Sequence, residues 1–161
     1  MNPILLILSI LIIPVLLIFC SFGRAMNTES LKITAAIIEG MIRQAREGLP
    51  LEICGILGGK GGTASVLYRV ANAESSGVHF LMDPREQLDA MEDLDAKGLD
   101  LMAFYHSHPA NPAWPSAEDV RLAFYPEVFI VIVSLLKPDE PEVKAFRIID
   151  KKIFPREIAV V

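Results

Sequence analysis

The sequence predicts a mixed α/β (α+β) fold, in which one central mixed β-sheet is flanked by helices and preceded by an N-terminal apolar segment. Three patterns support this prediction: segments with helical and strand periodicity alternate, a glycine cluster separates two apolar runs, and a continuous Val- and Ile-rich run spans residues 128–136. Such a run is typical of a strand that is buried on both faces. A chain of 161 residues is long enough for one domain with a substantial core.

The first predicted helix covers residues 34–47, where apolar side chains recur at spacings of three and four. Thr34 can cap its start, and the Gly48-Leu49-Pro50 segment ends it. Predicted strands at 52–57 and 65–70 flank the glycine cluster at 58–62. That cluster lacks the G-x-x-x-x-G-K-[ST] pattern of a phosphate-binding loop, so we interpret it as a hairpin turn.

The rest of the chain alternates between short strands and helices, joined by a loop that is rich in proline. Asp83 followed by Pro84 is typical of a helix start, because Asp caps the helix and Pro fits its first position. The predicted elements are a strand at 79–82, a helix at 83–97, a strand at 99–105, a loop at 109–115, a short helix at 116–124, and strands at 128–136, 143–149 and 152–160.

Residues 1–25 form an apolar leader that precedes the predicted domain at 26–161. Residues 4–22 contain no charge, and as a helix they would measure about 28 Å at roughly 1.5 Å per residue, close to the thickness of a bilayer core. Two interpretations stay open: a transmembrane anchor, or a translated upstream stretch with the true start at Met26. The leader lacks the features of a secretory signal, and basic residues only follow it. Both interpretations place the domain in the cytoplasm, tethered to the inner face of the membrane in the first of them.

The predicted domain is acidic, which argues against a nucleic-acid partner. Residues 26–161 contain all 20 acidic residues and all but one of the 15 basic residues, so their net charge is about −6. The two cysteines, Cys20 and Cys54, lie in the leader and in the domain, and we expect no structural disulfide between them. This cysteine usage fits a reducing compartment. The sequence predicts no particular oligomeric state.

Two of the three histidines in the chain, His106 and His108, lie two residues apart, and Asp119 follows eleven residues later. Residues i and i+2 of a strand point to the same face, so both imidazoles can approach one ion. Asp119 is predicted to lie in the first turn of the next helix, within reach across the proline-rich loop. Two imidazole nitrogens and one carboxylate leave a fourth position open for water, which is typical of a catalytic zinc site.

A catalytic zinc site also needs a base that takes a proton from water and delivers it to the leaving amine. No H-E-x-x-H helix occurs in the chain, so the base has to come from another segment. Glu52 is the best candidate, because it begins an apolar strand in which an unpartnered carboxylate is costly. Ser116 and Asp119 also form an S-x-x-D pattern, which predicts a helix-capping box as an alternative to a role in the chemistry.

Together these residues resemble the JAMM (MPN-plus) metalloprotease family. Its pattern E…H-x-H-x(10)-D is met in full by Glu52, His106, His108 and Asp119, and the flanking segments resemble the small prokaryotic members. The resemblance covers about residues 31–160 and none of the leader. It implies a single MPN/JAB-like domain.

The resemblance also implies a function and a role for each residue of the pattern. His106, His108 and Asp119 would bind Zn²⁺, Glu52 would hold and deprotonate the water, and Ser116 would donate a hydrogen bond to the developing oxyanion. The expected reaction is hydrolysis of a peptide or isopeptide bond after the C-terminal Gly-Gly of a ubiquitin-like or sulfur-carrier protein. The alternatives are a non-catalytic MPN binding module and an amidase that acts on a small peptide. The H-x-E and P-C-x-x-C patterns of nucleobase deaminases are absent from the sequence.

Three further residues lie close to these motifs. Cys54 would share a strand face with Glu52, and we interpret it as part of the core rather than as a fourth ligand. His79 is interpreted as a non-ligand. Trp114 could line a substrate groove or cover the site, and the sequence favours neither.

Overall fold

In the computed structural model, which describes residues 30–161, the strands form one sheet that closes on itself. The elements in chain order are β1 (Ser30–Ile33), α1 (Ala35–Glu47), β2 (Cys54–Lys60), β3 (Thr63–Val70), α2 (Pro84–Ala96), β4 (Asp100–His108), α3 (Ala117–Leu122), β5 (Phe129–Ser134), β6 (Glu142–Ile149) and β7 (Lys152–Val160).

The strand order around the sheet is β1-β3-β2-β4-β5-β6-β7, and β7 pairs with β1 to close the barrel. The pairs β4–β5, β1–β3 and β1–β7 are parallel, whereas the remaining pairs are antiparallel. The predicted mixed sheet with flanking helices is therefore confirmed. Closure was not predicted, because it depends on β1, a four-residue strand too short to show a period in the sequence.

Two apolar clusters join the helices to the sheet. In the larger cluster, Met41 and Ala45 of α1 pack with buried residues of β1 and β5, such as Ile33 and Val131. In the second cluster, Leu94 of α2 packs with residues of β2 and β3. Both clusters include residues of β2 and β4, the strands that lead to the site described below, so these strands are anchored on a packed core.

The glycine cluster at 58–62 was predicted as a turn, and this prediction is wrong for its first half. Gly58, Gly59 and Lys60 belong to β2, and only Gly61 and Gly62, with φ of 60° and 87°, make the turn. The strand needs glycine for close packing: a Cβ on Gly58 would lie 2.0 Å from Leu94 Cδ2, and one on Gly59 would lie 1.8 Å from the backbone oxygen of Thr63.

Gly59→Ala is expected to destabilise the protein by about 2 kcal/mol, because the added methyl group meets backbone that cannot move without breaking the β2–β3 pairing. Urea denaturation monitored by circular dichroism measures the effect. The matched control is Lys60→Ala at the next, exposed position, for which we expect a change within about 0.5 kcal/mol. Equal stability of the two variants would contradict the packing role of Gly59.

Two other element predictions differ from the structure near the site. Residues 79–82 do not form a strand; they belong to a loop that closes through a single bridge between Asn72 and Met82. Strand β4 was predicted to end at Tyr105, yet it continues through His108, because β5 pairs with it as far as Ser134. Both histidines therefore lie on regular strand rather than beyond its end.

No helix within residues 30–161 has the length and apolar composition required to cross a bilayer. The predicted anchor at 4–22 and the alternative start at Met26 lie outside the described residues.

Candidate metal centre

His106 and His108 lie at the C-terminal end of β4 and point to the same side of the sheet, as the alternation of side chains along a strand predicts. Their Nε2 atoms lie 3.1 Å apart, and both side chains are buried. Two further contacts orient the rings: Phe80 stacks on His106 with ring centroids 4.5 Å apart, and His108 Nδ1 lies 2.8 Å from the carbonyl oxygen of Pro112. A carbonyl can only accept, so His108 Nδ1 carries the proton and Nε2 keeps its lone pair.

Asp119 reaches the histidines from the first turn of α3. Its Oδ1 lies 3.3 Å from His106 Nε2, and its Oδ2 lies 3.8 Å from His108 Nε2. The predicted capping box is also present: Ser116 N donates to Asp119 Oδ2 at 2.6 Å, and Asp119 N donates to Ser116 Oγ at 3.1 Å. The two carboxylate oxygens thus divide the tasks, since Oδ2 caps the helix while Oδ1 stays directed at His106.

The geometry of these three side chains fits a zinc ion. Their ligand atoms lie within 4.8 Å of one another. In a tetrahedral zinc site, with bonds of about 2.0–2.1 Å, ligand atoms lie about 3.3 Å apart. The His106 Nε2–His108 Nε2 separation of 3.1 Å and the His106 Nε2–Asp119 Oδ1 separation of 3.3 Å are close to that value. Imidazole nitrogen and carboxylate oxygen are also the donor types that zinc accepts.

The charges around the centre favour an anionic carboxylate. Burial raises the pKa of Asp119, but the adjacent imidazoles of His106 and His108 and the hydrogen bond from Ser116 N outweigh it and hold that pKa far below the usual range. Burial lowers the pKa of His108, but the nearby Asp119 carboxylate and the hydrogen bond to the Pro112 carbonyl outweigh it, so the net pKa is raised. The cluster therefore attracts positive charge, which either a proton or a metal cation can supply.

Glu52 lies beside this cluster because β2 and β4 are antiparallel. Cys54 pairs with His106, so the residues that precede Cys54 run alongside those that follow His106. Glu52 was predicted to begin the strand; it lies two residues before it, and it is only 4% exposed. Burial raises its pKa to about 7, with an opposing effect from His108 and a supporting one from Asp119. A carboxyl group with this pKa can both accept and release a proton near neutral pH.

An apolar groove of about 260 Å³ opens beside the four side chains. Its walls come from the loop that follows β3 and from the segment after α3, and they include the exposed residues Val78, Leu81 and Phe124. Trp114 is not among the lining residues; it packs edge-on against Phe146 at 5.3 Å. The groove provides a binding surface that leads directly to the cluster.

The other predicted residues divide into core and surface. Cys54 is fully buried, and its thiol lies 3.5 Å from the carbonyl oxygen of Val70, as expected for a core residue. His79 is exposed at the groove and does not join the His-His-Asp group. Ser116 lies at the groove, where its oxygen accepts the capping bond and its hydroxyl hydrogen is free to donate.

Some residues that support the site escaped the sequence prediction. The Pro112 carbonyl is a backbone group and has no side-chain signal. Asn72, whose side chain holds the backbone of Glu52, does have one: an Asn at the end of a strand pattern is typical of a side chain that bonds the backbone of a following turn.

Comparisons with known proteins agree on one family. The family model described as prokaryotic homologs of the JAB domain matches residues 34–149. The chain is 36% identical over 136 residues to the CysO-cysteine peptidase of Mycobacterium tuberculosis, covering 81% of this chain and 91% of the relative. It is 33% identical over 116 residues to the desampylase of Haloferax volcanii, covering 68% of this chain and 84% of the relative.

Solved structures give the same result. A protein from Desulfitobacterium hafniense is similar with a TM-score of 0.74 and 41% identity, over 81% of this chain and 92% of that protein. Since the family model spans most of the chain and both relatives are more than 30% identical, the resemblance seen in the sequence is confirmed. The chain therefore belongs to the prokaryotic JAB-domain family, a small prokaryotic branch of the JAMM/MPN proteins.

Proposed function

We propose that this protein is a zinc-dependent metallopeptidase that hydrolyses the peptide or isopeptide bond after the C-terminal Gly-Gly of a ubiquitin-like or sulfur-carrier protein. The observation that supports this most is the convergence of two imidazole nitrogens and one carboxylate beside a fourth, buried carboxyl group. Two imidazoles and a carboxylate gathered in a buried site attract positive charge. A zinc ion can supply that charge to all three ligand atoms at once.

In this proposal His106, His108 and Asp119, which all line the groove, would hold the zinc ion. Bound zinc would lower the pKa of water to about 7 and polarise the substrate carbonyl. The Pro112 carbonyl keeps His108 in the tautomer with a free Nε2, and the Ser116 N–H keeps Asp119 turned towards the histidines. These outer contacts set the ligand geometry before any metal binds.

Glu52 is the general base. It accepts a proton from the attacking water and delivers it to the leaving amine, so that the same carboxyl group serves both halves of the reaction. Its pKa of about 7 suits this dual role better than the ordinary value for glutamate. Its burial also excludes bulk water that would compete for the proton.

Ser116 is the proposed donor to the developing oxyanion. Its oxygen accepts the Asp119 N–H, which fixes the rotamer, while its hydrogen remains available on the groove side. The helix cap and the oxyanion role are therefore compatible in one side chain, since they use different atoms of the hydroxyl group.

The substrate class rests on the relatives and on the groove. The relatives described above are named as a CysO-cysteine peptidase and a desampylase. The groove beside the cluster is apolar and open at the surface, which suits the extended tail of a larger protein.

The deciding experiment is a cleavage assay on the ubiquitin-like proteins of the host, each extended beyond Gly-Gly by a short reporter. We expect cleavage after Gly-Gly that a chelator abolishes and zinc restores. Cleavage that persists with the chelator would contradict a metal-dependent mechanism. Absence of cleavage for every fusion would contradict the proposed substrate class. A synthetic peptide of the tail alone is the matched control, because equal cleavage of peptide and fusion would favour an amidase for small peptides.

A further inference from the structure

The amide of Asn72 forms four hydrogen bonds, all to backbone groups. Its Nδ2 donates to the carbonyl oxygens of Glu52 at 3.0 Å and His79 at 3.1 Å. Its Oδ1 accepts from the N–H groups of Glu74 and Leu81, both at 3.1 Å. Two donors and two acceptor sites are the full capacity of an amide, so every one is used, and only one orientation of the amide satisfies all four partners.

These bonds link Glu52 to the loop at 73–82. The neck of the loop is closed by two backbone bonds, Ala73 N to Leu81 O at 2.8 Å and Asp83 N to Ala71 O at 2.9 Å. The same loop forms one wall of the groove and places Phe80 on the ring of His106. Asn72 therefore joins, through one side chain, the segment that contains the proposed base and the loop that packs on a proposed ligand.

The segment around Glu52 depends on such contacts because it precedes β2 and has no strand partner of its own. Glu52 N donates to the carbonyl oxygen of Ser76 in the same loop at 2.8 Å. On the other side, Ile53 exchanges two bonds with Ser107: Ile53 N donates to Ser107 Oγ, and Ser107 N donates to Ile53 O, both at 3.0 Å. The backbone of Glu52 is thus held between β4 and the loop, with Asn72 as the side chain on the loop side.

We propose that Asn72 is a positioning residue that sets the place of the Glu52 carboxyl group relative to the His-His-Asp cluster. The inference rests on the proposed function, in which Glu52 transfers the proton. A shift of about 1 Å in a reacting group can cost about a hundredfold in rate, so a contact that fixes the backbone of the base has a measurable effect on kcat.

Asn72→Asp tests this with a nearly isosteric change. The carboxylate can still accept from Glu74 N and Leu81 N, so these two bonds to the loop are kept. It cannot donate, and its second oxygen would face the carbonyl oxygens of Glu52 and His79 at about 3 Å, where two acceptors repel. The substitution therefore removes the bonds to the carbonyl oxygens of Glu52 and His79 and leaves the side-chain volume in place.

For Asn72→Asp we expect kcat for the fusion substrate to fall at least about tenfold, with KM changed less than about threefold and one zinc per chain retained. The matched control is Ser76→Ala, which removes another side-chain bond of the loop, from Val78 N to Ser76 Oγ, and leaves the backbone carbonyl that Glu52 uses. We expect its kcat to stay within about twofold of the wild type.

Three results would overturn the inference: a kcat for Asn72→Asp within twofold of wild type, a loss expressed only in KM, or an equal loss in Ser76→Ala. Loss of zinc from Asn72→Asp would overturn it as well, since Asn72 would then support the whole centre rather than Glu52.

A second measurement does not need a substrate, so failure of the proposed function can be told apart from failure of this inference. Amide hydrogen exchange in the metal-free protein reports the Glu52 N–H, which donates to Ser76 O. In Asn72→Asp we expect this amide to exchange at least about tenfold faster, while amides of β5 keep their rates. If the wild type cleaves no conjugate and the Glu52 amide still exchanges faster, the proposed function fails and the positioning role stands; an unchanged exchange rate at Glu52 overturns the positioning role.

Discussion

Glu52→Gln is expected to lower kcat for cleavage by about 10²–10⁴-fold while the protein still binds one zinc per chain. The amide has the volume of the carboxyl group but cannot take the proton from water, so the proposed proton transfer is lost and the three proposed zinc ligands are untouched. Steady-state kinetics on the Gly-Gly fusion, together with metal analysis, measures both quantities. The control is Glu39→Gln on the exposed face of α1, which should keep wild-type kcat.

The same variant has a pH-dependent effect on stability in the metal-free protein. Burial raises the pKa of Glu52 from 4.5 to about 7, so the folded protein binds more protons than the unfolded chain between those values. As pH rises through this range, the wild type therefore loses the part of its stability that this group contributes, which is at most about 3 kcal/mol. Glu52→Gln removes that loss, so it should be more stable than wild type at pH 8 and similar to it at pH 4.

Denaturant unfolding with a chelator present, at both pH values, measures this difference between the two proteins. A destabilised Glu52→Gln at pH 8 would contradict the buried environment of Glu52. Full activity of the variant would contradict its role as the base, whatever the stability shows.

Asp119→Asn is expected to weaken zinc binding by more than the 10–100-fold that substitutions outside the ligand set cost. The amide oxygen can replace Oδ2 as acceptor for Ser116 N, so the start of α3 is preserved. Its NH₂ group then faces His106 Nε2 in place of a negatively charged oxygen. One ligand and the only formal negative charge of the His-His-Asp group disappear together, and activity should be lost with the metal.

Competition with a chromophoric chelator gives the zinc affinity, and circular dichroism confirms that α3 and the sheet remain. The control is Asp89→Asn on the exposed surface of α2, which should bind zinc like wild type. Unchanged affinity in Asp119→Asn would remove Asp119 from the proposed ligand set.

The sequence alone was sufficient wherever the deciding interactions are local. The alternation of a strand puts His106 and His108 on one side, and the S-x-x-D pattern puts Asp119 in the first helical turn. Both rules act over two to four residues, so they hold before any tertiary contact forms. The helix α1 was predicted from its periodicity and α2 from its Asp83 cap, which are also local signals; Thr34 lies at the N-cap of α1, but its side chain makes no capping bond.

Other features depend on residues that are far apart in the chain. The sequence singled out Glu52 by residue type and motif, but its distance from the histidines depends on the pairing of β2 with β4, some fifty residues later. Gly58 and Gly59 belong to β2 and not to a turn, and they are needed there because Leu94 and Thr63 lie so close to their backbone. The closure of the sheet depends on β1, which has only four residues and is defined by its partners.

The sequence by itself therefore determined which side chains can form the centre and which family the chain resembles, because these depend on residue types and short spacings. Only the tertiary structure decided how the centre is held: the burial that raises the pKa of Glu52, the Pro112 carbonyl behind His108, and the four bonds of Asn72. These contacts join segments that are far apart in the chain, and no short sequence pattern indicates them. Their energies also depend on the exclusion of water, which requires the folded sheet.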